Sequence, residues 1–304
     1  MTTFKNFINH FRFTLIELIS NLKSLSINDS IRFFLMRLLL PFGFFSHYFL
    51  NRRSPCFNIS SIDHFGFVEL QKLEPERIEE IISNLLAVCS TERTGSFKSI
   101  EEYADTLRSS NVQRQSGLIS KGDSKCPLAQ VARSAAFADL AAEYLEIKKE
   151  KLIVEATVDT LVSTNFSKLP GDYDNALEFH RDIDAYKFFK IFIYLTDCFD
   201  GYGHHEIYLG SHRYYPLQLV PIKRYHAHII EKYIPKATLK KVTGSAGYAF
   251  GENTLAFHRG TSPIQGHRVV LNLTYTEDTF KNYYFNAFPV STADCSSRLF
   301  SPIV

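Results

Sequence analysis

The sequence predicts an α+β chain with a mainly β core, and three observations carry that expectation. From Leu152 onward, short apolar runs are separated by turn residues, the pattern of many strands with long connections. The chain holds 27 Phe and 16 Tyr with no Trp, a bias suited to strands and apolar pockets. The clearest helical periodicity lies before that point. Together they predict a double-stranded β-helix, jelly-roll or cupin-like, with flanking N-terminal helices.

In chain order, Phe4, Phe7, Ile8, Phe11, Leu15, Leu18, Ile19 and Leu22 fall on one helical stripe. An apolar run from Phe33 to Phe45 follows, interrupted by Arg37, Pro41 and Gly43 and too short for a span of about 20 apolar residues. It also starts too late for a signal peptide. Residues 51–55 read as a linker, so the expected organisation is an amphipathic basic segment, 1–55, and a β-helix domain, 56–304. Within the domain, Phe65 to Leu70 predicts a strand and Pro75 to Val88 a helix with Pro in its first turn. Residues 98–127 read as irregular, and Leu128 to Leu145 as one Ala-rich helix. Strands are expected at Ile153–Thr164, Phe188–Leu195, Glu206–Leu209, Tyr248–Phe250, Leu255–Phe257 and Val269–Tyr275. The run Phe188–Leu195 is apolar on both faces and so is expected to be covered on both.

Charge separates the two parts. Residues 1–53 carry seven basic side chains against Glu17 and Asp29, a net +5, which leaves −3 for the rest of a chain whose total is +2. That total is too small to argue for nucleic acid. A basic, aromatic, amphipathic segment suits peripheral contact with a membrane interface, although such stripes more commonly pack on protein. Cys56, Cys89, Cys126, Cys198 and Cys295 are dispersed, with no Cys-x-x-Cys pair, and read as reduced cytoplasmic thiols.

The residues that carry chemistry fall in two halves. His180-Arg181-Asp182 follows Leu177-Glu178-Phe179, and Phe257-His258-Arg259-Gly260-Thr261 answers it downstream, with Arg268 opening the run Val269-Val270-Leu271-Asn272-Leu273. Two imidazoles and a carboxylate are the donor set of a 2-His-1-carboxylate facial triad, which leaves open positions on Fe(II). An Arg on the strand after the distal His suits a bidentate grip on a carboxylate. His204, His205 and His212 suggest a second metal site less strongly than they suggest turn and hydrogen-bonding roles. The insertion between 213 and 243, with His226 and His228, reads equally as a cover that recognises an anionic group and as a solvated helix.

Read with Lys190–Asp197, Gly203–Arg213 and Gly247–Phe250, this order resembles the phytanoyl-CoA dioxygenase-like family of Fe(II)/2-oxoglutarate oxygenases over residues 60–280. The resemblance implies His180, Asp182 and His258 as iron ligands and catalytic centre, Arg268 on the 5-carboxylate of 2-oxoglutarate, and Thr261 as a second contact to it. It implies Fe(II) and 2-oxoglutarate as cofactors, with ascorbate as a reductant keeping the iron ferrous. Related halogenases replace the metal carboxylate with a small residue, so Asp182 favours hydroxylation. The expected reaction is hydroxylation of an unactivated C–H in a small or lipid-like molecule, with 2-oxoglutarate converted to succinate and CO2. The alternative is a catalytically silent jelly-roll binding protein. Substrate identity and oligomeric state are not legible.

Overall fold

The computed structural model describes residues 57–92, 97–110, 112–118, 126–163, 177–182, 188–214, 216–219, 224–277 and 287–290. The expected N-terminal helices and the linker at 51–55 lie outside the described residues. In order come Phe57–Phe65 (α1), Phe67–Leu70 (β1), Pro75–Glu92 (α2), Ile100–Ser109 (α3), Arg114–Leu118 (β2), Pro127–Arg133 (α4), Ala135–Leu145 (α5) and Leu152–Val162 (β3). Then follow Phe188–Tyr194 (β4), His205–Leu209 (β5), Ala227–Tyr233 (α6), Thr238–Val242 (β6), Ala249–Glu252 (β7), His258–Gly260 (β8), His267–Glu277 (β9) and Phe288–Pro289 (β10).

All named strand pairs are antiparallel. The larger sheet runs β1-β7-β4-β9-β3-β10 with β2 also on β3, and the smaller runs β6-β5-β8. Strand alternation assigns the two faces of the larger sheet different neighbours. Ile191, Ile193, Leu271, Leu273, Ala156 and Val158 enter a core with Ile59 and Ile62 of α1 and Ala138, Ala141 and Tyr144 of α5. The intervening residues Tyr194, Phe250 and Val270 meet Ile207 and Val242 of the smaller sheet instead. On the smaller sheet the next residue, Tyr208, packs with Phe179, Phe257, Tyr225 and Ile230 of α6. The site therefore lies between the sheets. Among the described residues these sheets do not close into a barrel.

Four sequence expectations change. The helix expected over Leu128–Leu145 is two, because Ser134 takes an extended ψ of 141° between them. The stretch 98–127, expected to be irregular, holds α3 and β2. In α3, Ile100, Tyr103, Ala104 and Leu107 are buried at helical spacing, and the N-cap Ser99 accepts from Glu102 N at 3.3 Å. The strand expected at Leu255–Phe257 is a turn: Asn253 Oδ1 accepts from Leu255 N at 3.1 Å and its carbonyl from Ala256 N at 2.9 Å, so the strand starts at His258. Phe65 ends α1, and β1 begins only after Gly66, whose φ is 74°. No helix among the described residues is long and apolar enough to cross a membrane.

Candidate metal centre

Backbone pairing brings the two halves of the motif together. His180 and His258 face each other in a reciprocal pair, each N–H donating to the other's carbonyl at 3.0 Å. Asp182 N donates to Thr254 O at 2.9 Å. On the other side, Tyr225 N donates to Phe179 O at 2.9 Å as the two residues bridge. β8 thus sits between β5 and the segment carrying His180. Directly opposed residues of an antiparallel pair share a face, as do residues two apart. His180, Asp182, His258 and His205 accordingly point into the space between the sheets. Their neighbours turn away: the Arg259 guanidinium lies 4.3 Å over the Phe179 ring and that of Arg181 4.1 Å over Phe257. Arg181 also donates to the carbonyls of Ser211 at 2.9 Å and Tyr214 at 2.7 Å, so the middle residue of the triplet is structural.

The donor atoms of His180, Asp182 and His258 lie within 4.8 Å of one another, and they are the only such metal-type cluster among the described residues. His180 Nε2 is 3.5 Å from Asp182 Oδ1, and His258 Nε2 is 3.4 Å from Asp182 Oδ2. Each ring places Nδ1 against a backbone carbonyl, Glu178 O at 2.8 Å and Ala256 O at 3.0 Å. An Nδ1–H donated there leaves the Nε2 lone pair for a metal. The chemistry and aim of this set fit a hard or borderline divalent ion with open positions.

Burial lowers the His180 pKa to about 3, helped by the neighbouring His258, so this ring is neutral as a ligand must be. Burial pushes Asp182 upward, but Lys190 and both imidazoles outweigh it and hold the carboxyl well below the usual range. Burial pushes His258 down, but Glu252 and Asp182 win and its pKa is raised. Fully buried Glu252 lies 2.7 Å from His205 Nε2 and 3.5 Å from His258 Nδ1, without the alignment of a hydrogen bond in either case.

The three donors open onto a cavity of about 230 Å³. Arg268 lines it, buried to 6% exposure, and its Nε has no hydrogen-bond partner among the described residues. One Nη donates to Gly203 O. Gly260, two residues past His258, gives this guanidinium room, since a Cβ there would stand 3.0 Å from Arg268 Nη2. A buried cation with an unfilled donor beside the triad fits the carboxylate of a keto-diacid. Thr261 does not line the cavity; its hydroxyl donates to His204 O at 3.0 Å.

Sequence reading missed several cavity residues. Lys190 reaches Asp182 Oδ2 at 2.7 Å, and a Lys inside an otherwise apolar strand was the signal for it. Asn272, four residues past Arg268 and on the same face, has a buried Oδ1 with no partner among the described residues. His204 is held by Glu206 at 3.3 Å, and His212 Nε2 contacts Asp63 O at 3.1 Å, tying its turn to α1. The His226 and His228 rings stack with centroids 5.9 Å apart, and neither belongs to the donor cluster.

Comparison with solved structures identifies the architecture. EctD from S. alaskensis, solved with 2-oxoglutarate and 5-hydroxyectoine, overlaps 76% of this chain and 79% of its own with a TM-score of 0.51 at 15% identity. The fold is shared with EctD. AviO1 from Streptomyces viridochromogenes Tue57 overlaps 75% of this chain and 96% of its own, with a TM-score of 0.47 at 14% identity. The non-haem alpha-ketoglutarate-dependent epimerase SnoN from nogalamycin biosynthesis overlaps 72% and 82%, with a TM-score of 0.47 at 14% identity. No protein-family model and no curated protein sequence matches the chain.

Proposed function

We propose that this chain is a 2-oxoglutarate-dependent non-haem Fe(II) oxygenase of the phytanoyl-CoA dioxygenase-like kind, hydroxylating a C–H of an organic substrate. The observation that carries this is the convergence of the His180, Asp182 and His258 donor atoms on one cavity wall beside Arg268. That EctD was solved with 2-oxoglutarate supports the same reading. Bound iron and 2-oxoglutarate would supply the oxidising chemistry, activating O2 as the keto acid is decarboxylated to succinate.

The protein's share is placement. His180 and His258, their Nδ1 atoms fixed by backbone carbonyls, and Asp182 would hold the metal. Arg268 would orient the keto acid through its far carboxylate. Phe192 and Phe250, stacked at 5.2 Å, give the cavity an apolar wall that restricts water. Asp182 supplies the metal carboxylate that halogenation would require to be absent, which favours hydroxylation. Residues 1–53 are proposed as a peripheral membrane contact. Full-length protein is then expected to co-sediment with anionic and not with neutral vesicles, and equal sedimentation would remove that role.

Anaerobic titration with Fe(II) and 2-oxoglutarate tests the centre. A saturable visible charge-transfer band is expected in wild type, absent in Asp182→Ala and weakened in Arg268→Ala. Well-folded wild-type protein without the band would overturn the oxygenase reading and favour a silent binding protein.

A further inference from the structure

Among the described residues, the cavity lining carries more positive charge than a metal and a keto-diacid would use. Arg114, Lys190, Arg224 and Arg268 line it, against the carboxylates of Asp159 and Asp182. Glu252 lies behind the lining, against His205 and His258. Lys190 holds Asp182 at 2.7 Å, and Arg114 meets Asp159 at 3.1 Å. A divalent ion and a dianionic keto acid cancel each other, so the side-chain excess survives their binding. In a cleft with low-dielectric walls that excess focuses a field that attracts anions.

Backbone register gives Arg224 its place. Phe179 and Tyr225 are bridged, and one step along that antiparallel register sets Arg224 opposite His180, as His258 is on the other side. Arg224 therefore belongs to the face that carries His180, Asp182 and His258, and it lines the same cavity. Arg114, on β2, approaches from the facing sheet. The insertion after residue 213 thus delivers a guanidinium to the metal cavity through the strand-like segment before α6.

We propose that the substrate is a small molecule bearing an anionic group, a carboxylate or a phosphate, received by Arg224 with Arg114 across the cavity. The inference rests on the oxygenase reading and narrows it from small or lipid-like molecules to small acids. A planar fork suits both oxyanions, and a charged group held at one point would fix which C–H approaches the metal. The lining includes aromatic surface from Phe192 and Phe250 for the remainder of such a molecule.

Calorimetric titration of full-length protein, with Co(II) in place of Fe(II) and saturating N-oxalylglycine, tests this with hexanoate, hexyl phosphate and hexan-1-ol. Saturable binding of one or both anions is expected, with none of the alcohol, and at least tenfold weaker binding in Arg224→Gln. The tighter anion identifies the group. Should Arg224→Gln fail to fold, Arg224→Lys, which keeps the charge and loses the fork, is expected to weaken binding severalfold. Anion binding no stronger than that of hexan-1-ol, or unchanged in folded Arg224 variants, overturns the proposal. Failure of N-oxalylglycine to bind is a different result. It removes the oxygenase reading, and the anion titration repeated without cobalt then decides the role of Arg224 alone.

Discussion

In the proposed metal centre, the ammonium of Lys190 and a divalent ion would compete for one carboxylate. Lys190 Nζ sits 2.7 Å from Asp182 Oδ2, and its charge is the largest downward influence on that carboxyl. At about 5 Å and an effective dielectric near 20, repulsion between an ammonium and a divalent ion is on the order of 6 kcal/mol. Pre-orientation of one carboxylate is a smaller effect, about 1.5–3 kcal/mol for a charged hydrogen bond. Lys190→Met is therefore expected to bind Co(II) at least tenfold more tightly than wild type. Weaker binding, read by calorimetry, would show that the amine's grip on Asp182 matters more. A second residue-scale prediction concerns pH. Burial lowers His212 to about 3, well below its ordinary value. Below about pH 6.5 the unfolded chain takes up a proton that the folded ring refuses, at roughly 1.4 kcal/mol per pH unit. Stability therefore falls from pH 6.5 towards pH 3, where the folded ring also protonates. His180 is lowered to about 3 in the same way and adds to the slope. In His212→Gln, chemical denaturation between pH 7.5 and 5 should show a shallower decline by about one histidine's share. An unchanged slope would mean that the ring is not held neutral.

At the scale of elements, β9 separates stability from function residue by residue. Leu271 is fully buried in the core that faces the helices, whereas Asn272 lines the cavity. Leu271→Ala is expected to cost about 2–5 kcal/mol with the metal site intact. Asn272→Ala should leave stability within about 1 kcal/mol and change ligand affinity instead, because its buried Oδ1 makes no hydrogen bond among the described residues. Urea unfolding beside cobalt and N-oxalylglycine binding separates the two; a large stability loss in Asn272→Ala would contradict the assignment of faces. The same alternation explains what was legible in sequence. β3, β4 and β9 are long and apolar, and their expected bounds differ from the observed ones by no more than two residues. β2 was not legible because Arg-Gln-Ser-Gly-Leu has no apolar period, and only the register on β3 makes it a strand. α3 was legible in principle, with Ile100, Tyr103, Ala104 and Leu107 at helical spacing, but polar flanks obscured it. At the site, the triad and Arg268 stood out because two His, an Asp and a following Arg make a recognisable donor set in sequence order. Arg224, Lys190 and Asn272 did not, since what marks them is the face they share, and that depends on pairing across distant segments.

For the molecule as a whole, the site exists only when both sheets are in place. Its donors come from the segment beside β8, from β8 itself and, for Arg268, from the larger sheet. An unfolded chain cannot present them together, so a ligand that binds this constellation draws the whole folding equilibrium with it. At a hundredfold excess over the dissociation constant the gain is about 2.7 kcal/mol. For a chain of 304 residues this corresponds to a rise in Tm of roughly 4 °C, taking an unfolding entropy of about 2.1 cal/mol/K per residue. Co(II) is expected to produce such a rise in wild type and not in Asp182→Asn, which keeps the side chain's size and removes its charge. N-Oxalylglycine should add a further rise only with cobalt present and Arg268 intact, because in the proposed binding mode the keto acid would use both the metal and the guanidinium. If it stabilises Asp182→Asn as much as wild type, the acid binds through Arg268 alone and the metal is not part of its site. A cobalt shift that persists in Asp182→Asn would move the ion to some other part of the chain.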